Sequence, residues 1–387
     1  MLLDSLFVFC KRNLMIVNET KTKRMVYGCR DIPVLLFNGT RIKVVDEYKY
    51  VGNMFSPTMR STGDVFKTNY DYACSQARKA CFAMKRSLAN ASPTPPAVLL
   101  KLFVSSIKPI LIYGADNWGL KKRAHEKIDA FQRNFLKRTL GIKISSANLF
   151  VYGETGCLPL SLDLTAFALR YYHRLYNMPT GSLVKHVFDE MVRLNKLGFT
   201  SWVTTCEDKL RNLCLFDSLN LSASNFSKQI NTILKNDFLR NWRESLNSSI
   251  ARTYSTFKSD IIFEKYLLVV KNLNHRKALA QLRCSSHHLR VETGRWSHKE
   301  ISLRICPSCR VLEDERHFVC DCRINNRQRA DLSNFIFSNI CSSSATSFAD
   351  FKSNLFVNLL TTTDENLLRS FARFCYSSFQ IRKELYE

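Results

Sequence analysis

The sequence predicts a mainly α-helical fold, with a small antiparallel β element near the N-terminus and a small zinc-knuckle-like module near the C-terminus. Apolar residues recur at helical spacing from residue 63 to the end, broken by Pro, Gly and Ser/Asn stretches. Two short β-rich runs, 33–37 and 40–45, flank Asn38-Gly39, a strong two-residue hairpin signal. Residues 304–322, RICPSCRVLEDERHFVCDC, set Cys306, Cys309, His317 and Cys322 as C-x2-C-x7-H-x4-C. That donor set can close a tetrahedron on one Zn2+.

Composition bounds the rest. At 387 residues, 45% of them hydrophobic, the chain can fill two or three domains, and its low Gly and Pro content argues against disorder. Lys and Arg number 57 against 33 Asp and Glu, a formal net charge of +24. An excess of that size needs solvation or a polyanion, nucleic acid before an anionic membrane. There is no run of 18 apolar residues, so no transmembrane helix and no membrane partner is expected. The opening MLLDSLFVFCKRNLMIV is interrupted by Asp4, Lys11, Arg12 and Asn13, with no small-residue cleavage site after it. The chain therefore reads as nuclear or cytoplasmic, not secreted, and its fourteen cysteines as reduced, largely core residues.

Taken in order, residues 3–17 begin as a helix and 18–23 break it. MVYG (25–28) reads as a short strand, followed by the 33–45 hairpin and a third strand at 47–52. So small a sheet needs a partner surface. Helices are expected at 63–91, 97–112 and 122–140, with stops at SPTPP (92–96), Tyr113-Gly114 and Gly141. Residues 67–143 hold fifteen Lys/Arg and four Asp/Glu, a local net of +11. So one-sided a surplus favours contact with a nucleic-acid backbone over a merely solvated face. Lys67, Arg78, Lys79, Lys85, Arg86, Lys137 and Arg138 are its candidate contacts. Further helices are expected at 162–178, 183–196, 201–214, 224–247 and 257–286, the last hinged at 272–274, as a scaffold without chemistry. After a polar connection (295–302) and the Cys/His cluster, helices return at 323–340, 346–360 and 364–385, the last packing back on the body.

About twenty residues cannot bury enough apolar surface to hold their own shape, and zinc coordination supplies the missing free energy, on the order of 10 kcal/mol. With four protein ligands and no open position, the Zn2+ is structural. Cys320 competes with Cys322 for the fourth place. The loop acids Glu313, Asp314 and Glu315 are expected to stay in water.

Several blocks together resemble one family. LDSLFVFCKRNLMIVNETKTKRMVY (3–27), VDEYKYVGNMFS (45–56), SSIKPILIYGADNWG (105–119), NLFVYGETGCLPL (148–160), LRCSSHHLRVETGRW (282–296) and the cluster itself (306–322) occur in that order. They resemble the C-terminal half of reverse transcriptases of LINE-type, non-LTR retrotransposons. The resemblance implies five parts: the palm end and primer-grip hairpin (1–60), basic thumb-like helices (61–160), a helical connection (161–295), a CCHC zinc finger (296–326) and C-terminal helices (327–387). It implies that Lys21 sits near the pyrophosphate leaving group, and that Tyr50, Val51 and Gly52 hold the primer end. A solvated loop lysine and an ordinary turn glycine remain the plain readings of Lys21 and Gly52.

The departure from the family matters as much. Polymerase chemistry needs paired carboxylates for two Mg2+ ions, and the sequence has no adjacent Asp-Asp. It begins where the residues after the family's Ala-Asp-Asp turn would lie, and no Pro-Asp…Asp…Lys nuclease arrangement follows Cys322. The expectation is therefore a nucleic-acid-binding part of an RNA-directed DNA polymerase, inactive alone and without Mg2+. Its expected partners are RNA, RNA–DNA or DNA duplex, and the missing polymerase portion. The alternative is a helical, zinc-stabilised interaction protein whose basic face serves a protein or an anionic membrane. Charge gathered in a groove between the 63–141 helices and the finger favours the first reading, and scattered charge the second.

Overall fold

The computed structural model describes residues 2–18, 20–26, 34–37, 40–56, 66–89, 93–338 and 354–386. Its fold is mainly helical, and among the described residues the short strands lie in the N-terminal part. After α1 (Leu2–Arg12) come three strand pairs. β2 (Leu36–Phe37) and β3 (Thr40–Arg41) pair antiparallel, as do β5 (Tyr48–Tyr50) and β6 (Asn53–Phe55). The first pair brackets the expected Asn38-Gly39 turn, whose two residues lie outside the described ones. β1 (Lys23–Arg24) pairs parallel with β4 (Lys43–Val44), which the pattern did not foretell. The run 40–45 divides at the buried Ile42, so that its first half pairs with the adjacent β2 and its second half with the more distant β1. The strand expected at 25–28 lies earlier, at 23–24, and residues 27–28 fall outside the described ones.

The β5–β6 turn needs left-handed backbone at Val51 (φ 46°) and Gly52 (φ 84°), the geometry of a tight two-residue hairpin. Tyr113 seals it, its hydroxyl donating to the Val51 carbonyl at 2.9 Å. A Cβ on Gly52 would stand 2.7 Å from the Tyr113 ring. Two sequence blocks sixty residues apart are thus one packed unit.

Helix α2 (Lys67–Ser87) buries Tyr70, Ala73, Cys74 and Ala77 along one face. Pro96 opens α3 (Pro96–Leu102), which passes through a π turn (Phe103–Ile107) into α4 (Lys108–Ile112). Pro109 has no N–H for the ladder, and the wider turn precedes it. Two short helices were not expected, α5 (Ala115–Trp118) and α7 (Asn148–Thr155). Between them α6 (Lys122–Leu140) stops at Gly141, as the pattern indicated. The scaffold helices α8 (Leu160–Tyr176), α9 (Leu183–Lys196), α10 (Trp202–Asn212) and α11 (Ala223–Ser245) close their own cluster around Tyr172, Phe188, Leu210, Phe226 and Ile230.

The expected helix 257–286 is half replaced, and its expected break near 272–274 falls between two helices. Only α12 (Tyr266–Val269) and α13 (Leu273–Arg283) are helical, the latter capped by Asn272, whose side chain accepts from the Asn274 and His275 amides. Residues before α12 are held on an irregular, non-helical path by charged groups in the interior. Lys258 pairs with Glu264, Arg283 reaches Glu264 at 3.0 Å, and the Glu264 amide donates to the Glu154 carbonyl at 3.0 Å. The chain ends with α14 (Arg290–Trp296), α15 (Asn326–Ile336), α16 (Leu355–Thr361) and α17 (Glu365–Tyr386). A single apolar cluster runs from Tyr70 in α2 through α6, α7 and α13 to Phe371 and Cys375 in α17. Among the described residues no helix is long and apolar enough to cross a membrane.

Candidate metal centre and basic groove

The turn Cys306–Arg310 closes on itself. The Cys306 amide donates to the Val311 carbonyl at 2.6 Å and the Arg310 amide to the Cys306 carbonyl at 2.9 Å, with Arg310 left-handed at φ 62°. This turn aims Cys306 and Cys309 to one side. Asp314 then caps the next turn, accepting from the His317 amide at 2.7 Å. A π turn over His317–Asp321 delivers Cys322 to the same point. The ligand atoms of Cys306, Cys309, His317 and Cys322 all lie within 4.8 Å of one another.

These residues fit a tetrahedral metal. The Cys306 and Cys322 sulfurs are 3.9 Å apart, close to the ~3.8 Å that two thiolates at ~2.3 Å from one Zn2+ would have. His317 is buried, yet its Nε2 has no hydrogen-bond partner among the described residues. Burial and the neighbouring Cys306 and Cys309 push the Cys322 thiol up to about 12, so a cation is needed to hold it as a thiolate. The Arg323 amide donates to the Cys309 sulfur at 3.3 Å. Against the effect of burial, that bond and those from the neighbouring thiols hold Cys309 below its usual range. Cys320 is not in the cluster and packs instead against the apolar core. The described residues thus contain a Cys3His cluster able to bind a metal.

The acidic loop reverses an expectation. Glu313 and Glu315 are 2% and 0% exposed, not solvated. Glu315 accepts from Arg252 (2.6 Å) and Thr253 (2.9 Å) on one oxygen, and from Ser285 and His287 (both 3.1 Å) on the other. Against burial, which opposes ionisation, His287 and the Arg252 charge hold its carboxyl far below the usual range. Glu313 takes a two-pronged Arg382 from α17 at 2.8 and 2.9 Å and the Arg290 amide at 2.7 Å. Phe318 stacks on Phe379 with ring centroids 4.7 Å apart. The module is therefore bolted into the body by two carboxylates and a ring, while Arg310, Arg316, Arg323 and Arg327 face solvent.

The basic surplus also takes a definite shape. A cleft of about 690 Å3 lies between α2 and α6, with residues of α3 and α13 also lining it. Arg78, Lys85, Lys127, Arg138, Arg276 and Lys277 line it, with no carboxylate among the described lining residues. Lys127 is engaged with Asp71, and Arg276 with the Val270 and Lys271 carbonyls. Arg78, Lys85, Arg138 and Lys277 have no ion pair among the described residues. The floor is apolar, built from Met84, Leu99, Phe131 and Phe135. No residue of the Cys/His module lines this groove, so the expected partnership between groove and finger is not formed there.

The sequence-derived contact residues divide. Lys21, Lys67, Arg78, Lys79, Lys85, Arg86 and Arg138 are exposed, and Tyr50 is 63% exposed. Lys137 is corrected. It is 5% exposed, and its ammonium donates to the Ile144 carbonyl (2.7 Å) and Asn148 Oδ1 (3.0 Å), binding the loop after α6. The space that Gly52 leaves is filled by Tyr113, which explains the glycine without a ligand. Sequence reasoning missed Lys277, which carries no local signal, and Phe82, 75% exposed at the groove mouth. Phe82 stands out of phase with the buried stripe 70–73–74–77, which was a readable signal. A scan against protein-family models, a search of curated proteins and a search of solved structures each return no match.

Proposed function

We propose that this chain binds nucleic acid, as the thumb-to-finger part of a reverse transcriptase of the non-LTR retrotransposon kind. The observation that carries the reading is the groove between α2 and α6, where, among the described residues, four cations without ion pairs face one space and no carboxylate lines it. A protein-docking surface of this size ordinarily mixes signs at its rim and depletes charge at its core, whereas phosphate recognition asks for cations alone. In this reading the Cys3His cluster holds a structural Zn2+. Cys306, Cys309, His317 and Cys322 fill all four positions, and the metal fixes the turn that presents Glu313 and Glu315 to the body. It supplies no chemistry beyond that.

The resemblance blocks and the local charge surplus support the family reading, and the absence of an Asp-Asp pair in the sequence sets its limit. The test is equilibrium binding of nucleic acid, as a single strand and as an RNA–DNA duplex, across a salt series. The reading predicts that log K falls linearly with log[salt], with a slope of roughly −3 or steeper for four or more phosphate contacts. Affinity independent of salt overturns it. The same protein is expected to add no nucleotide to a primed template with Mg2+ or Mn2+.

A further inference from the structure

We propose that the groove between α2 and α6 takes unpaired nucleic acid, with a base against Phe82 and Phe131 and the flanking phosphates on Arg78, Lys85, Arg138 and Lys277. This rests on the nucleic-acid reading above and narrows it. Three observations point the same way. The first is size. A cleft of about 690 Å3 is of the class that encloses small molecules of a few tens of heavy atoms. It is of a size to accommodate one or two nucleotides.

The second is the aromatic lining. Phe82 is 75% exposed on a helix whose neighbouring positions are Arg78, Lys79, Lys85 and Arg86. It contributes nothing to the core, and its ring borders the same cleft as the half-buried Phe131. Every unpaired base has a face to offer such a ring, and base–aromatic stacking holds single strands without sequence preference. In a duplex those faces are covered by neighbouring base pairs, so an aromatic lining gains nothing from one.

The third is the rim. The cations stand on both walls, Arg78 and Lys85 on α2 and Arg138 on α6, with Lys277 of α13 also lining the cleft. Asn134 and Thr139, on either side of Arg138 in sequence, bring polar groups to the same wall. A strand laid along the groove would meet positive charge on either side of a stacked base. This arrangement of stacking platform and basic walls is that of a single-strand channel.

The experiment compares the full chain with Phe82→Ala and Phe82→Trp. Binding of a labelled short oligonucleotide is followed by fluorescence anisotropy, as single-stranded DNA, single-stranded RNA and blunt DNA duplex of the same sequence, at one salt concentration. Phe82→Ala should weaken single-strand binding about five- to a hundredfold and leave duplex binding within about twofold. Phe82→Trp should retain single-strand affinity. The thermal midpoint should not move, because the ring lies outside the core. Equal effects on both forms, or none on either, overturn the single-strand assignment while the broader nucleic-acid reading stands. Loss of all binding by the unaltered chain overturns both. Displacement of the strand by poly-glutamate as readily as by unlabelled oligonucleotide assigns the groove to an acidic polypeptide, and likewise overturns the proposal.

Discussion

Replacing Glu315 by Ala removes the acceptor on which two distant segments converge. Its carboxylate is fully buried and takes hydrogen bonds from Arg252, Thr253, Ser285 and His287. Without it Thr253, Ser285 and His287 keep buried polar groups with no acceptor, and Arg252, 37% exposed, loses its partner. Breaking one side of a buried ionic network costs about 3–5 kcal/mol. Unfolding entropy is about 2.1 cal/mol/K per residue near 60 °C. Over 387 residues that is about 0.8 kcal/mol/K, so a loss of about 4 kcal/mol lowers the Tm by about 5 °C. The assay is differential scanning calorimetry beside a surface control, Glu190→Ala. Glu190 pairs with Arg193 at 2.7 Å with both side chains at least half exposed, and such pairs contribute about 0–1 kcal/mol. The Glu315 variant should melt about 5 °C lower, the control within about 1 °C. A Glu315→Ala protein that melts with the control would refute the claim that this carboxylate bolts the module to the body.

Three further outcomes are expected. Metal analysis of the purified chain should give about one zinc per molecule. Cys306→Ser should lose the metal and melt lower, whereas Cys320→Ser should keep it, since Cys320 lies outside the cluster. Glu154 links stability to pH: against full burial, the Arg283 charge and hydrogen bonds hold its carboxyl below the usual value. A depressed carboxyl contributes stability that is complete above its unfolded value of about 4.3 and is lost as pH falls toward the folded one. The Tm gap between the unaltered chain and Glu154→Gln should therefore narrow on acidification below about pH 4; a gap constant with pH counts against the linkage. Finally, Gly52→Ala should destabilise the β5–β6 hairpin, because φ is 84° and the added Cβ meets the Tyr113 ring. The readout is faster amide exchange over 48–55, and unchanged protection would show that the turn tolerates a side chain.

Much of this was legible in the residues. Helical periodicity with Pro and Gly stops located α2, α6, α8, α9, α10 and α11 to within a few residues, because caps and amphipathic stripes are local properties. The four-ligand cluster was readable from spacing alone. What failed was non-local. Residues 257–265 carry a helix-like pattern, yet Arg283 and the Glu154 carbonyl, from elsewhere in the chain, hold Glu264 on a non-helical path. Glu313 and Glu315 look like solvated loop acids until Arg382, Arg252 and His287 arrive from elsewhere in the chain. Lys137 was read as one more cation in a basic helix, and only the loop at 144–148 shows that its charge is already used. The groove itself needed Lys277 beside α6, a neighbour that no window of sequence reveals.

The central claim is that the α2–α6 groove grips phosphates. It is tested most directly by the salt slope of binding in an Arg78→Gln, Lys85→Gln, Arg138→Gln variant, whose three changed side chains are exposed and leave the core intact. If the groove is the contact, the slope of log K against log[salt] becomes shallower by about 2–3, with the thermal midpoint unchanged. A variant that keeps both the affinity and the slope of the unaltered chain would contradict the account.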